Sequence, residues 1–516
     1  MPLGAFKVAL FGAGSGASDT FIAEVHANTS ESGSANHRTI AGLVVDGSDN
    51  VYLAGYSSKS TGGYETWFIK TDALFSDFTI DRVSNTSATE QGNWYCQDLF
   101  NTRTAGSSTD QIWWGGQVSN VSPEIPRWCA TMKSDLSEET DTFGGFMWYY
   151  NTWPFDSSSN YTGAPDQGVI VSSDSYFVAG SSNLYENKQS YQTATFQTLF
   201  AKSSTEYAIS YGKSFTPGWF QNSYPTGVWL RETGDTTNNF TANDFYFGTQ
   251  ISSYGSNGCQ LYRRYGSGHG SEDNHNYYPS TGTINGRFDV TGRGDYLYLQ
   301  CRNSGDASTH LCKINEFGTS SGDIVWSRET YRDGQNNPQQ GYHTKPIIDS
   351  NDNVWQTHTY EYIDGSATRY GNLLYRYNSS GTIDRCYDLR QATDTTQSNN
   401  YIFPTQLGLN STEEIIYMAF GAYADGSGGN TGAYVMAVKT DGSTTGTATL
   451  GTGSGTDPED TTWVLTSDTS YATSSTSDWT KASTSGVSWG SITPNQFTDI
   501  TATTTAKTGE ITLGAF

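Results

Sequence analysis

Residues 43–56 read LVVDGSDNVYLAGY and residues 66–72 read TWFIKTD. An apolar run meets an Asp/Gly/Ser/Asn turn, an aromatic-rich strand follows, and after a polar loop a second strand ends near Lys70. Val, Tyr, Trp, Phe and Ile suit a pleated surface, while Asp, Asn and Gly suit tight turns. The stretch therefore reads as consecutive strands joined by short turns.

The pattern recurs along the chain. Its further copies are DQIWWGG (110–116) with RWCATMKSD (127–135), VIVSSDSYFVAGS (169–181) with TLFAKSS (198–204), and NDFYFGT (243–249) with QLYRRYG (260–266). FDVTGRGDYLYLQ (288–300) follows with HLCKINEFG (310–318), then PIIDSNDNVWQTH (346–358) with NLLYRYNSSG (372–381). QLGLNSTEEIIYMAF (406–420) with AYVMAVKTDG (433–442) is the last. With Tyr52, Trp113, Phe177, Tyr246, Leu297, Trp355 and Tyr417 as anchors, successive spacings are 61, 64, 69, 51, 58 and 62 residues. Bounded but unequal spacings fit one structural unit with loops of varying length. A further strand-like run follows most copies, at 78–84, 146–150, 207–215, 323–331 and 382–389.

Each unit thus supplies four short strands, and no 3.6-residue periodicity interrupts them. Repeated four-stranded units, each too small to bury its own faces, predict an all-β fold: a seven-bladed β-propeller of four-stranded antiparallel blades, or eight if the two ends build one together. Sheets packed on both faces explain why YLAGY and IYMAF are nearly continuous apolar runs. The repeat resembles the β-propeller repeat of bacterial extracellular proteins over residues 37–450, with longer loops. That resemblance implies a fold and leaves function open, because propellers host lyases, lectins, adhesins and scaffolds alike.

The predicted organisation is an N-terminal closure or docking segment (1–36), the propeller (37–450) and a Ser/Thr-rich C-terminal β segment (451–516). The last segment keeps Trp463, Trp479 and Trp489, which a flexible linker would not carry. FKVALFG (6–12) and TFIAEVHA (20–27) look like core strands of the repeat, and strands from both ends can share a sheet and leave no loose edge.

The chain carries Leu-Gly-Ala-Phe twice, at Leu3, Gly4, Ala5, Phe6 and at Leu513, Gly514, Ala515, Phe516. As structure, these are strand ends at the closure seam; as function, they are short apolar peptides that dock on a repeated partner. MPLGAF also resembles the short starts of structural proteins of marine tailed phages. That likeness implies a virion protein, which needs no secretory signal; MPLGAFKVALFGAGSGASD is a poor one.

Composition narrows the classes. A formal charge of −24, from 28 basic and 52 acidic residues, argues against nucleic-acid or anionic-membrane partners. At 14% aromatic residues the chain has material for a core and is not of disordered composition. No stretch approaches the ~18 apolar residues of a membrane span. Six cysteines in 516 residues do not make a disulfide scaffold and are expected to be buried thiols.

Several constellations have a chemical reading beside a structural one. Gly12, Gly14 and Ala17 match a dinucleotide fingerprint without the helix it needs. Asp349, Asn351 and Asn353 alternate like the start of a calcium loop but lack its Gly and bidentate Glu, so an Asx-rich turn is preferred. His269 and His275, with Glu272 and Asp273, would suit a divalent ion, against a plain solvated loop. Trp148, Trp153 and Phe155 could stack on sugar rings, against packing between blades. HNYYPS (275–280) is a weaker glycan candidate. No catalytic triad or paired-acid site can be assembled.

The expected role is a non-enzymatic structural or adhesion component of a virus particle (phage tail, fibre or capsid appendage), located in the virion or outside the cell. It would be present in many copies, contact other virion proteins or a host surface glycan, and use no cofactor, calcium being the one alternative. The competing readings are a carbohydrate-binding or polysaccharide-degrading propeller and a bacterial surface or filament protein.

Overall fold

The computed structural model describes residues 21–27, 39–58, 64–73, 75, 77–84, 93–101, 111–119, 127–133, 146–150, 164–172, 175–184, 192–202, 207–216, 222–230, 245–253, 256–264, 272–279, 289–294, 296–302, 308–315, 324–332, 344–364, 367–391, 401–424, 429–450, 461–477, 479–483, 488–491, 497–501, 503–506 and 511–515. Among them every regular element is a β-strand except one 3-10 turn at Thr469–Tyr471.

The strands run as follows. β1 is Phe21–Ala27. Unit one contains β2 Thr39–Val45, β3 Val51–Ser58, β4 Tyr64–Thr71 and β5 Phe78–Ser84, and unit two contains β6 Asn93–Asn101, β7 Gln111–Ser119, β8 Arg127–Lys133 and β9 Phe146–Tyr150. Unit three contains β10 Ala164–Ser172, β11 Ser175–Leu184, β12 Gln192–Lys202 and β13 Tyr207–Thr216, and unit four contains β14 Asn222–Leu230, β15 Phe245–Ser253, β16 Ser256–Arg264 and β17 Glu272–Pro279. Unit five contains β18 Asp289–Arg293, β19 Tyr296–Arg302, β20 Thr309–Ile314 and β21 Ile324–Arg332. Unit six contains β22 Ile347–Ile348, β23 Val354–Asp364, β24 Ala367–Tyr377 and β25 Ile383–Gln391. Unit seven contributes only β26 Tyr401–Leu409, β27 Ile415–Ala424 and β28 Gly429–Lys439. Then come β29 Gly446–Leu450, β30 Thr461–Ser467, β31 Ala472–Thr476, β32 Trp479–Ser483, β33 Ser488–Ser491, β34 Phe497–Thr501, β35 Thr503–Ala506 and β36 Ile511–Ala515.

Within each unit, strands adjacent in sequence pair antiparallel. In unit two the ladder covers β6–β8, and β9 lies against β8. Unit seven takes its fourth strand from the other end of the chain: Phe21 to Glu24 of β1 pair with Ala437 to Tyr434 of β28. First strands contact one another in the order β2, β6, β10, β14, β18, β22, β26 and back to β2. These antiparallel four-stranded sheets, packed face to face with their first strands toward a common centre, are consistent with a β-propeller.

The C-terminal segment adds a strand outside the fourth strand of every unit, and in unit two that pair, β9 with β34, stands apart from the β6–β8 ladder. β30 pairs with β25, β31 with β21, β32 with β17, β33 with β13, β34 with β9, β35 with β5 and β36 with β1. Read along the chain, this segment visits units six, five, four, three, two, one and then seven. It forms a belt that runs opposite to the direction in which the units were laid down. The sixth sheet gains one more strand, because β29 pairs on the far side of β30.

Side-chain alternation explains the packing. In β27, Tyr417 and Ala419 join Leu53, Trp67 and Ile69 of unit one in one core cluster. Ile416, Met418 and Phe420 join Trp355, Leu374 and Leu389 of unit six in another. A continuous apolar run is therefore a period-two strand with two apolar neighbours. β19 repeats the arrangement: Leu297 and Leu299 pack with Leu261 and Tyr277 of unit four, and Tyr298 with Val354 and Leu373 of unit six. Cys301, Cys312 and Cys386 are buried thiols. Cys312 stands opposite Leu299 and Cys301 opposite His310, so the two do not face each other across the β19–β20 hairpin.

One sequence reading is corrected. The polar run at 268–276 reads as a loop, yet Glu272–Pro279 is the fourth strand of unit four, paired on one side with β16 and on the other with β32. Backbone pairing on both edges holds it, and buried Tyr277 anchors it against unit five.

Inner strands approach closely where β26 meets β2. A Cβ on Gly408 would overlap the Leu43 side chain and crowd Val45. Gly408→Ala should cost about 1–3 kcal/mol by overpacking, read as a lower denaturant midpoint at unchanged m-value; an unchanged midpoint would refute this close approach.

Candidate functional site: chained turns and the belt latch

The described side chains concentrate polar chemistry in two places. The first is the end of the sheets that carries the turns between first and second strands. Asp46 accepts from the amides of Ser48 and Asn50 at 2.8 and 2.9 Å and from Asn50 Nδ2 at 2.7 Å. Asp349 does the same with Asn351 N, Asn353 N and Asn353 Nδ2, at 2.9, 3.0 and 2.7 Å. Asn410 takes the amides of Glu414 and Ile415. An Asx side chain that caps its own turn is the reason these positions are Asp or Asn. The third residue after it turns left-handed: Asp49 at φ 64°, Asp352 at 59° and Glu413 at 61°. For a non-Gly residue that conformation costs about 1–2 kcal/mol.

Contacts to the neighbouring turn offset this strain. Asp49 Oδ1 accepts from Ser411 N at 2.6 Å, tying unit one to unit seven. Glu413 of unit seven accepts from Ser350 N and Oγ of unit six, at 2.8 and 2.5 Å, and from Arg293 of unit five at 2.9 Å. Arg293 also donates to Ile348 O. Lys313 Nζ of unit five sits 3.7 Å from the centre of the Tyr296 ring and 3.9 Å from Asp352. Units five, six, seven and one are thus linked turn to turn. Partial burial opposes ionisation of Glu413, but the Ser350 bonds and the Arg293 charge outweigh it and hold the carboxyl below its usual range.

The second concentration lies where the belt passes units five and six. Asp388 is fully buried in β25; it accepts from Tyr360 OH at 2.5 Å and from Arg332 at 3.3 Å. Desolvation pushes the Asp388 carboxyl up, against the pull of Tyr360, Arg332 and Arg390. Arg332 lies 5.3 Å from the Tyr360 ring and 5.0 Å from the Tyr471 ring, and Arg390 is 5.9 Å from Tyr471. Tyr471 belongs to the belt, so one buried carboxylate positions two arginines that grip it. Nearby, Ser477 Oγ bonds His310 Nδ1 at 2.9 Å, Ser327 Oγ donates to Ser477 O, and Asp468 N bonds Cys386 O. Trp463 and Leu465 enter the core between units six and seven, and Trp479 that between units four and five. An open depression of about 570 Å³ borders the same crossing, lined by Val325, Trp326, Arg328, Ser380, Thr476 and Trp479. Trp326 is itself held, its Nε1 donating to Ser379 O at 3.0 Å.

The residues singled out from sequence fall as follows. Asp349, Asn351 and Asn353 come together as a self-capped turn whose Asp349 oxygens accept from within it. Among the described residues no group of three His, Cys, Asp or Glu is placed to hold a metal. His275 lies in β17 opposite Leu261 and Ser483. Trp148 lies in β9 opposite Asp499. Leu513, Gly514 and Ala515 lie in β36, opposite Val25, Glu24 and Ala23. Leu3, Gly4, Ala5, Phe6, Gly12, Gly14, Ala17, Trp153, Phe155, His269 and Phe516 lie outside the described residues. Sequence reading missed Arg332, Asp388, Arg390 and Glu413. In TIDRCYDLR the alternation is visible, but the hydrogen-bonding partners of the buried Asp388, Tyr360 and Arg332, lie 28 and 56 residues away.

No family model matches the chain, the repeat at 37–450 included, and no curated protein matches it. Among solved structures the chain is similar to a sialidase of Trypanosoma rangeli in complex with sialic acid, at 10% identity and a TM-score of 0.33. The match covers 78% of this chain and 54% of that one, so the chain spans about half the length of that structure.

A carboxyl whose folded pKa is depressed stabilises the fold above its ordinary pKa, and that stabilisation is lost as the pH falls through the folded value. Glu413→Gln should therefore cost about 1–3 kcal/mol at neutral pH, and the gap from the parent should close below about pH 4. Equilibrium unfolding across pH reads it; a gap that is constant with pH would refute an ionised Glu413 linking the turns.

Proposed function

We propose that this chain is a non-enzymatic structural or adhesion component of a virus particle, a rigid propeller of seven four-stranded blades belted by its own C-terminal segment. The observation that carries this reading is the belt: each sheet's outer strand is covered by a strand of the last segment. A bare strand edge pairs with any other bare edge. In a particle with many copies held close together, uncovered edges would fuse neighbours at random. The belt replaces them with outermost strands of four or five residues, and an edge so short offers little to pair with, which leaves association to loops and chain ends, where recognition is readily varied.

The chained turns fit the same role, because they link blades at the rim where an outside load would separate them. The excess of acidic residues favours mutual repulsion between copies that are not docked. Partners are then other particle proteins at the ends and a host surface glycan at the loops, with no nucleic acid or membrane engaged, and the protein is located in the virion.

Antibodies raised to the purified chain should label intact particles of the virus that encodes it at regular positions, and the chain should release no reducing sugar from polysaccharides. Particles that lack the chain, or clear turnover of a glycan, would overturn the assignment.

A further inference from the structure

β1 has two edges. One pairs with β28 and the other with β36, where Leu513, Gly514 and Ala515 stand opposite Val25, Glu24 and Ala23. This second edge is the last place the belt reaches, and Leu-Gly-Ala is the segment seated there. The same Leu-Gly-Ala-Phe occurs at Leu3–Phe6, ahead of β1 itself. A strand edge selects its partner by backbone pairing and by the side chains set at alternate positions, so two identical segments fit one slot in one register.

We infer that the outer edge of β1 is a peptide-binding slot for Leu-Gly-Ala-Phe, and that Leu3–Phe6 of the same chain is its second ligand, exchanging with the C-terminal end. The direction suits a fold-back. β36 runs antiparallel to β1, and an N-terminal segment that turns back along the following strand also runs antiparallel. Residues 7–20 supply the connection, and fourteen residues reach at most about 46–50 Å when extended, ample for a return. In the register of β36, Leu3 would stand opposite Val25, Gly4 opposite Glu24 and Ala5 opposite Ala23.

The two ligands are unequal. The C-terminal one continues through Thr512 and Ile511, paired with His26 and Ala27. The N-terminal one meets Pro2 in the place of Thr512, and Pro has no N–H to give to a ladder. The shorter ligand is the weaker, so the C-terminal end occupies the slot and Leu3–Phe6 fills it when that end is drawn away. The β1 edge then stays covered while residues 511–516 become free to engage something else. This step goes beyond the proposed particle role and stands or falls separately, since it concerns one chain in solution.

Full-length variants test it. Gly514→Pro blocks pairing by the C-terminal copy and Gly4→Pro by the N-terminal one, and thermal melting checks that each variant folds. Hydrogen exchange of residues 21–27 should be near the parent's in either single variant, and at least ~100-fold faster at the outward-facing amides in the double variant. Exchange in Gly514→Pro alone as fast as in the double variant would overturn the inference, as would a double variant as protected as the parent. A cysteine pair, Leu3→Cys with Val25→Cys, should close within one chain in the Gly514→Pro background and far less in the parent background. Failure to close there, or closure only between two copies, would equally overturn it.

Discussion

A β-sheet has two edges, and each exposes unpaired N–H and C=O groups that invite pairing from any other chain. Every unit of this protein is a short antiparallel meander, so each brings the problem again. The inner edge is answered by crowding and the outer one by backbone hydrogen bonding. At the centre the first strands meet one another in a cycle that returns to its start; at the outside the C-terminal segment lays a strand against the fourth strand of every unit. Unit seven is joined by strands from both ends of the chain, β1 and β36. The ring is therefore held shut by pairing that cannot open without releasing a chain end.

Magnitudes show why the belt needs more than its own pairing. Ordering a residue's backbone costs about 1–2 kcal/mol, and a backbone hydrogen bond returns only about 0.5–1.5 kcal/mol net. Belt strands of four or five residues would gain little from their ladders alone. Buried anchors tip the balance. Trp463 and Leu465 fix the start of the belt in the core between units six and seven, Trp479 fixes its crossing to unit four, and between them Tyr471 is gripped by Arg332 and Arg390. Asp388 orders that grip because its buried carboxylate is satisfied by Tyr360 and the arginines. The pair is a positioning device more than a net source of stability.

Much of this was legible in the amino-acid sequence, and the reason is periodicity. Anchors such as Tyr52, Trp355 and Tyr417 occupy the second strand of a unit because aromatic and β-branched residues mark half-buried strands. The runs at 78–84, 323–331 and 382–389 form fourth strands for the same reason. β17 was hidden because HNYY is embedded in Glu, Asp and Asn, and its place is fixed by pairing on both edges instead of by an apolar pattern. The destinations of β30–β36 were equally invisible. Ser and Thr announce strands but name no partner, and a belt that runs backward past six units leaves no periodic trace. Of the polar sites, the Asp349 turn was readable from its local Asx spacing. The Glu413–Ser350 and Arg332–Asp388 links join residues 63 and 56 positions apart, and no local signal pairs them.

The most direct test of the account is an experimental density map of the whole chain, traced through its last segment. The account predicts a closed ring of sheets in which residues 461–515 supply the strand that pairs with the fourth strand of units six, five, four, three, two, one and seven, in that order. A C-terminal segment folded as a separate module, or one that visits the sheets in ascending order, would contradict it.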